Sequence, residues 1–271
     1  MKHYVISLII LLLVNCKPSD RFDYDIIVSE IPTNIYAMNS EYDDYNSDLG
    51  YPSEGPDFYF SSNRNSAGKD YDIVSGALAF SYHRTDRVLN LAVPRPADVG
   101  EAAGSPVLEV INSPNDEFGP YSYVLDQDLL FFYATNPGDT FDIKFVQLAN
   151  WRNVNQTVSE PYSLTRINSV GDNLYPSIDT EHNRIYFCSN RGDTSFNIYT
   201  ARYSAKITMD ALVNDRILDI KKEAGLSSFY DEKCPFVKDN FMVFTSNRDG
   251  DYDLWYSKFE NETWSPPSKI R

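Results

Sequence analysis

Short lines dense in apolar residues alternate along the chain with longer polar stretches, and the apolar lines come four times. They are DFYF from Asp57, LLFFY from Leu129, IYFC from Ile185 and MVF from Met242. Apolar side chains stand on successive positions, so such a strand must be covered on both faces. After each line comes a turn rich in Asn, Asp and Gly (NRNSAGK, NPGDT, NRGDTS, NRDGD), and then a second apolar strand marked YDI, FDI, FNI or YDL. Those turns suit a hairpin. Segments 158–164 (VSEPYSL) and 263–270 (TWSPPSKI) follow two of the hairpins. Their prolines are tolerated on an edge strand and not in a sheet centre.

A polar segment precedes each line: MNSEYDDY, INSPNDEF, INSVGDNL and LSSFYDEK, which align a serine at Ser40, Ser113, Ser169 and Ser228 and an aspartate at Asp43, Asp116, Asp172 and Asp231. Past each apolar line an asparagine recurs at Asn63, Asn136, Asn190 and Asn247, at intervals of 73, 54 and 57 residues. A unit of that length suits a sheet of several strands. Each repeat reads as an inner strand, a buried hairpin and a proline-bearing outer strand, which is a blade of a β-propeller. The fold class is therefore all-β, with four blades expected and five as the alternative. Residues 22–36 are the candidate for a strand that closes the ring, residues 84–105 read as a loop insertion in the first unit, and residues 38–271 read as one domain.

The first residues change the picture of where the protein works. An apolar run from Tyr4 to Val14 follows a single lysine and ends at LVNC, with Cys16 last. The run is shorter than the about 20 apolar residues that span a bilayer, and it reads as a secretory signal. The LVNC ending resembles the lipobox of bacterial lipoproteins, which implies a signal at 1–15, cleavage before Cys16 and acylation of that cysteine, with 16–37 as linker. Removing 1–15 leaves 23 basic and 39 acidic side chains, a charge of −16. So acidic a body is unsuited to nucleic acid, whose binding rests on Lys and Arg, or to anionic headgroups. Contact with the membrane is expected through the acyl chains. Cys188 and Cys234 are read as buried free thiols.

The repeat residues also resemble a known family, the TolB-type, WD-like propeller repeat of exported bacterial proteins. Its pattern runs W-x-E-P, then I-N-S-x-x-D-E, a proline, a strand, S-N-R-x-G and D-I-Y. The chain meets it with INSVGDNLYP, YFCSNRGD and NIY, with CPFVKDNFMVFTSNRDGDYDLWY and with TWSPP. The resemblance covers 38–271 and departs at Pro137, where the arginine of SNR is missing. It implies an envelope scaffold that binds a protein partner, placed at the outer membrane by its lipid.

Candidate chemistry is sparse. Beyond the signal, His83 and His182 are the remaining histidines and no Cys-x-x-Cys occurs, so no His-rich zinc or non-haem iron site and no cofactor is expected. His182, in DTEHNR, reads as a solvated loop residue. No Gly-x-Ser-x-Gly or phosphate loop is present. The four aspartates read as caps on turn N–H groups, and Arg64, Arg191 and Arg248 of SNR as their ion-pair partners. Propellers also host glycosidases that use paired acids, so a carbohydrate-binding or glycoside-hydrolysing propeller is the competing function. Asp249, Asp251 and Asp253 resemble the start of a calcium loop but lack its distal glutamate, and no metal is expected. The tyrosine-rich segment 36–51 reads as a loop, and Tyr42 and Tyr45 are the candidate binding residues. The reading that results is a non-enzymatic, lipid-anchored binding propeller.

Overall fold

Each apolar line becomes the second strand of an antiparallel sheet in the computed structural model, which describes residues 34–36, 38–50, 57–93, 105–151 and 156–270. Four such sheets follow one another. The first joins β1 (Asp44–Leu49), β2 (Asp57–Ser62) and β3 (Asp72–Ala77). The second joins β6 (Glu117–Leu125), β7 (Asp128–Thr135) and β8 (Asp142–Ala149), with β9 (Thr157–Val158) and β10 (Tyr162–Ser163) on the edge of β8. The third is β11 (Asn173–Asp179), β12 (Arg184–Ser189), β13 (Asn197–Tyr203) and β14 (Ile217–Lys222). The fourth is β15 (Glu232–Lys238), β16 (Phe241–Ser246) and β17 (Asp253–Glu260), edged by β18 (Thr263–Trp264) and β19 (Ser268–Lys269). This is a four-bladed propeller with β1, β6, β11 and β15 innermost.

Successive blades pack face to face through three apolar clusters. Tyr59, Phe131 and Tyr133 lie between blades 1 and 2. Phe132, Phe145, Ile185 and Phe187 lie between blades 2 and 3, and Tyr186, Phe244, Trp255 and Phe259 between blades 3 and 4. The two-sided burial anticipated for the apolar lines has this origin. The junction of blade 4 with blade 1 differs. Met38, Phe60 and Leu78 form a small cluster on blade 1, while Phe236, Phe241 and Leu254 of blade 4 stay about half exposed, at 51%, 47% and 52%. On β17, Leu254 alternates with buried Trp255 and Phe259, so it belongs to the face turned away from blade 3.

Two sequence expectations are corrected here. The segment 36–51 is not a loop throughout, because Asp44–Leu49 is β1 and pairs with β2; its polar composition hides a strand whose partners are backbone groups. The insertion after blade 1 contains a hairpin, β4 (Ala79–His83) with β5 (Val88–Ala92), around Arg87 at φ +56. Residues 80–91 fall outside the compact unit that holds the four blades, and β5 is exposed along its length. The helix α1 (Ser105–Ile111) leads into blade 2. The proposed signal at 1–15, Cys16 and residues 22–33 of the closing strand lie outside the described residues.

Candidate functional site

The repeated polar residues form one network, written four times at the start of each innermost strand. Asn63, Asn136, Asn190 and Asn247 each accept, through Oδ1, the backbone N–H of Asp43, Asp116, Asp172 and Asp231, at 3.0, 2.8, 2.7 and 2.9 Å. Three of the aspartates then reach the preceding blade: Asp116 accepts from Tyr71 N (2.9 Å), Asp172 from Phe141 N (3.0 Å) and Asp231 from Phe196 N (2.9 Å). The same aromatic residues return a carbonyl to the next blade, accepting from Glu117 N, Asn173 N and Glu232 N at 2.7, 2.8 and 2.8 Å. Asp43 breaks the series. It accepts from Tyr71 OH of its own blade at 3.0 Å and, among the described residues, takes no backbone N–H from blade 4.

The arginines do not pair with these aspartates, which corrects the sequence expectation. Side chains of adjacent strand residues point to opposite sides, and it is the next position that faces the arginine. Arg64 meets Asp44 at 2.6 Å and Arg248 meets Glu232 at 2.9 Å. Arg191 meets the Asn173 side-chain oxygen at 2.5 Å. Each also donates to a main-chain carbonyl at the turn, that of Met38, Leu226 or Ile167. Burial opposes ionisation of Asp44, but hydrogen bonds from Ser62 and Arg64 outweigh it and hold the carboxyl below its usual range. Blade 2 has Pro137 where the arginine would stand. There burial pushes Glu117 up to about 7, despite hydrogen bonds from Ser113 and Thr135.

Every innermost strand carries a bulge at the same place. The register shifts between Tyr45 and Asp48, Phe118 and Tyr121, Leu174 and Ser177, and Lys233 and Phe236. Asn46, Gly119, Tyr175 and Cys234 sit there at φ +51, +63, +56 and +51, and Pro follows in three of the four. The bulges bring these residues to the axis. Tyr175 OH accepts from Asn46 Nδ2 at 3.0 Å, and Cys234 Sγ donates to Asn46 Oδ1 at 3.4 Å. Blades 1, 3 and 4 thus meet over the axis, with the Tyr175 ring lying against Gly119. Beside and below this bridge are two cavities of about 420 and 630 Å³ that share Asp48, Leu49, Tyr121 and Phe236 in their walls.

The two ends of the ring differ in what they show to water. At the end where the Asn-Ser turns lie, Phe229 is 99% and Val170 93% exposed, at the tips of their turns. Tyr45, on β1, is 48% exposed and packs against Tyr71 and Phe118, with ring centroids 5.6 and 6.4 Å away. Tyr42 is half-buried, its ring 3.4 Å from the position a side chain on Gly68 would take. Of the two tyrosines named from sequence, Tyr45 therefore presents the larger free surface.

The other candidates resolve into structure. His182 is no solvated loop residue: the β11–β12 turn folds its Nδ1 to 2.8 Å from Asp179, and its ring lies edge-on to Phe259. Asp249 and Asp253 face Lys269 at 3.8 and 2.5 Å. The described residues contain no group of three His, Cys, Asp or Glu arranged to hold a metal ion. Cys188 and Cys234 are free thiols, and burial pushes both above the ordinary range, Cys234 to about 12.

No protein-family model matches the chain, and no curated protein does. Solved structures similar in fold include the putative TolB from Agrobacterium tumefaciens, 14% identical, with 79% of this chain matched to 62% of that one at a TM-score of 0.40. They also include the endo-arabinase from Bacteroides thetaiotaomicron, 14% identical over 79% of this chain and 76% of that one, at a TM-score of 0.43. A thermostable family-43 glycoside hydrolase is 12% identical over 83% of this chain and 72% of that one, at a TM-score of 0.47. The expectation of a non-enzymatic protein is corrected by this company: glycoside hydrolases stand among the matches beside the putative TolB, so the propeller gives no ground for denying the chain an activity.

Proposed function

We propose that the protein is a lipid-anchored envelope propeller that docks a partner protein on the end of the ring bearing the Asn-Ser turns. The observation that supports this is the exposure of Phe229 and Val170, at 99% and 93%. Side chains so exposed give nothing to the core, and both stand at turn tips where a polar residue would serve the fold equally well. Tyr45 and Tyr230, 48% and 50% exposed, lie at the same end. Aromatic anchors within an otherwise polar surface are the usual composition of a binding patch. Acidic groups surround it, including Asp43 and Glu41, in a chain of net charge −15. The partner surface that fits is apolar at its centre and basic at its rim.

Anchoring through Cys16 completes this reading. No helix among the described residues is long and apolar enough to cross a membrane. Two acyl chains make attachment stable, each buried methylene contributing about 0.8 kcal/mol. Changing Cys16→Ser is expected to release the protein from membranes or to stall its processing; a mature-length Ser variant that still sediments with membranes would contradict the anchor. Docking is tested by crosslinking in the native envelope, comparing the natural chain with a Val170→Ser, Phe229→Ser double variant.

A further inference from the structure

The opposite end of the channel holds a carboxylate that the blade network does not use. Asp48 lies on β1, is 9% exposed, and lines both axial cavities. Its Oδ2 accepts from Ser122 N at 3.0 Å and from Ser122 Oγ at 2.5 Å, which fixes the carboxylate across the junction of blades 1 and 2. Among the described residues its Oδ1 has no hydrogen-bond partner, and it is not one of the walled-in polar atoms. A carboxylate oxygen held rigid by its twin, and open to a cavity, is a preorganised acceptor.

The cavity around it has a mixed wall. Tyr121 and Phe236 supply ring surface. Thr180 Oγ1 accepts from Tyr123 OH at 3.1 Å, which leaves the threonine proton free to donate inward. Asp179 is already bound to His182, and Glu181, Lys238 and Asp239 complete the polar part of the wall, which is acidic on balance. At about 630 Å³ the space is in the range of small-ligand pockets, about 300–1,000 Å³.

We propose that this cavity is a binding site for a neutral, polyhydroxylated ligand, a sugar unit, whose hydroxyl donates to Asp48 Oδ1 while a ring face lies on Tyr121 and Phe236. Alternating hydroxyl and C–H surfaces are what a wall of fixed acceptors, a hydroxyl donor and aromatic rings complements. The site is separate from the docking face, because the Asn46–Tyr175 bridge stands between them.

The test is ligand-observed NMR and calorimetry on the full chain with maltose, cellobiose, xylobiose and arabinobiose as probes and spermidine as the cationic comparator. At least one disaccharide is expected to bind, and Asp48→Asn to weaken it about tenfold or more, the loss of one charge-assisted hydrogen bond. Should Asp48→Asn fail to fold, the exposed Phe236→Ala is expected to weaken the same sugar, since it removes ring surface from the entrance. Phe229→Ser is expected to leave sugar affinity unchanged, which separates this site from the docking face. Failure of all four sugars to bind at tens of millimolar, affinity indifferent to both Asp48→Asn and Phe236→Ala, or spermidine binding in their place would overturn the proposal.

Discussion

At the Asn-Ser end of the ring the same residues recur in every blade and are used up in bonds within and between blades; at the far end each innermost strand closes differently, in DL, VL, ID and VK. The first end has its repeated asparagines and most of its aspartates tied to neighbouring backbone, and shows water the apolar tips Val170 and Phe229. The second surrounds a cavity with unrepeated polar groups and leaves one oxygen of Asp48 without a hydrogen-bond partner among the described residues. Repetition therefore marks architecture. Departures from the repeat, where a side chain keeps a group that the joining of the blades does not use, are where ligand contact is to be sought.

The largest expected effect comes from the bridge that parts the two ends. A Cβ on Gly119 would lie 2.4 Å from Tyr175 Cδ1, at φ +63. Gly119→Ala should cost about 3 kcal/mol by denaturant unfolding, as strain and overpacking add. In a Tyr175→Ala background the extra cost of Gly119→Ala should fall to about 1 kcal/mol, that of the backbone alone. Equal costs in both backgrounds would show that the Tyr175 ring does not close the axis over Gly119.

A similar magnitude, set by pH, separates blade 2 from the blades that keep their arginine. Glu117 is fully buried and stands at about 7 instead of the ordinary 4.5. A raised carboxyl pKa means the folded chain holds the proton longer than the unfolded one, so this group's contribution to stability is fully present below pH 4.5 and is lost as pH rises through 7. The decline from this group is about 3 kcal/mol at most. Glu117→Gln should flatten that window, and Pro137→Arg, supplying the guanidinium that Arg64 and Arg248 give to Asp44 and Glu232, should lower the Glu117 pKa. A carboxyl titrating near 4.5 in the natural chain would contradict the assignment.

Next in size is the contrast among the aspartates themselves. Asp172→Ala leaves Phe141 N without its acceptor and should cost about 1–3 kcal/mol. Asp43→Ala, at the junction where no such bond is present among the described residues, should cost less than about 1 kcal/mol. Equal losses in thermal unfolding would mean that the blade 4 to blade 1 junction is clamped like the other three.

Much of the blade was legible in advance because the apolar lines, Asn-Gly turns and outer prolines each carry a local physical signal. The Asp-Asn pairing was legible as a recurrence, while the arginine partners were missed by one residue, since a linear spacing does not say which side of a strand a side chain takes. The bulges were not legible. Tyr175 and Cys234 adopt positive φ before a proline, a conformation neither residue type favours, at the bulge that all four innermost strands share. Asp48 was hidden because YNSDL reads as more of a polar loop; its burial comes from Ser122 of another blade, 74 positions away.

The smallest effect on stability and the largest on binding are expected at the turn tips. The Val170→Ser, Phe229→Ser double variant should change stability by less than about 0.5 kcal/mol, since the replaced side chains face solvent. The decisive measurement is crosslinking of natural and double-variant chains in the native envelope, with quantitative identification of what co-purifies. One predominant partner of the natural chain, lost or reduced at least about tenfold with the variant at equal abundance and fold, is the result predicted. The same partner at the same yield from both chains would contradict docking at the Asn-Ser end.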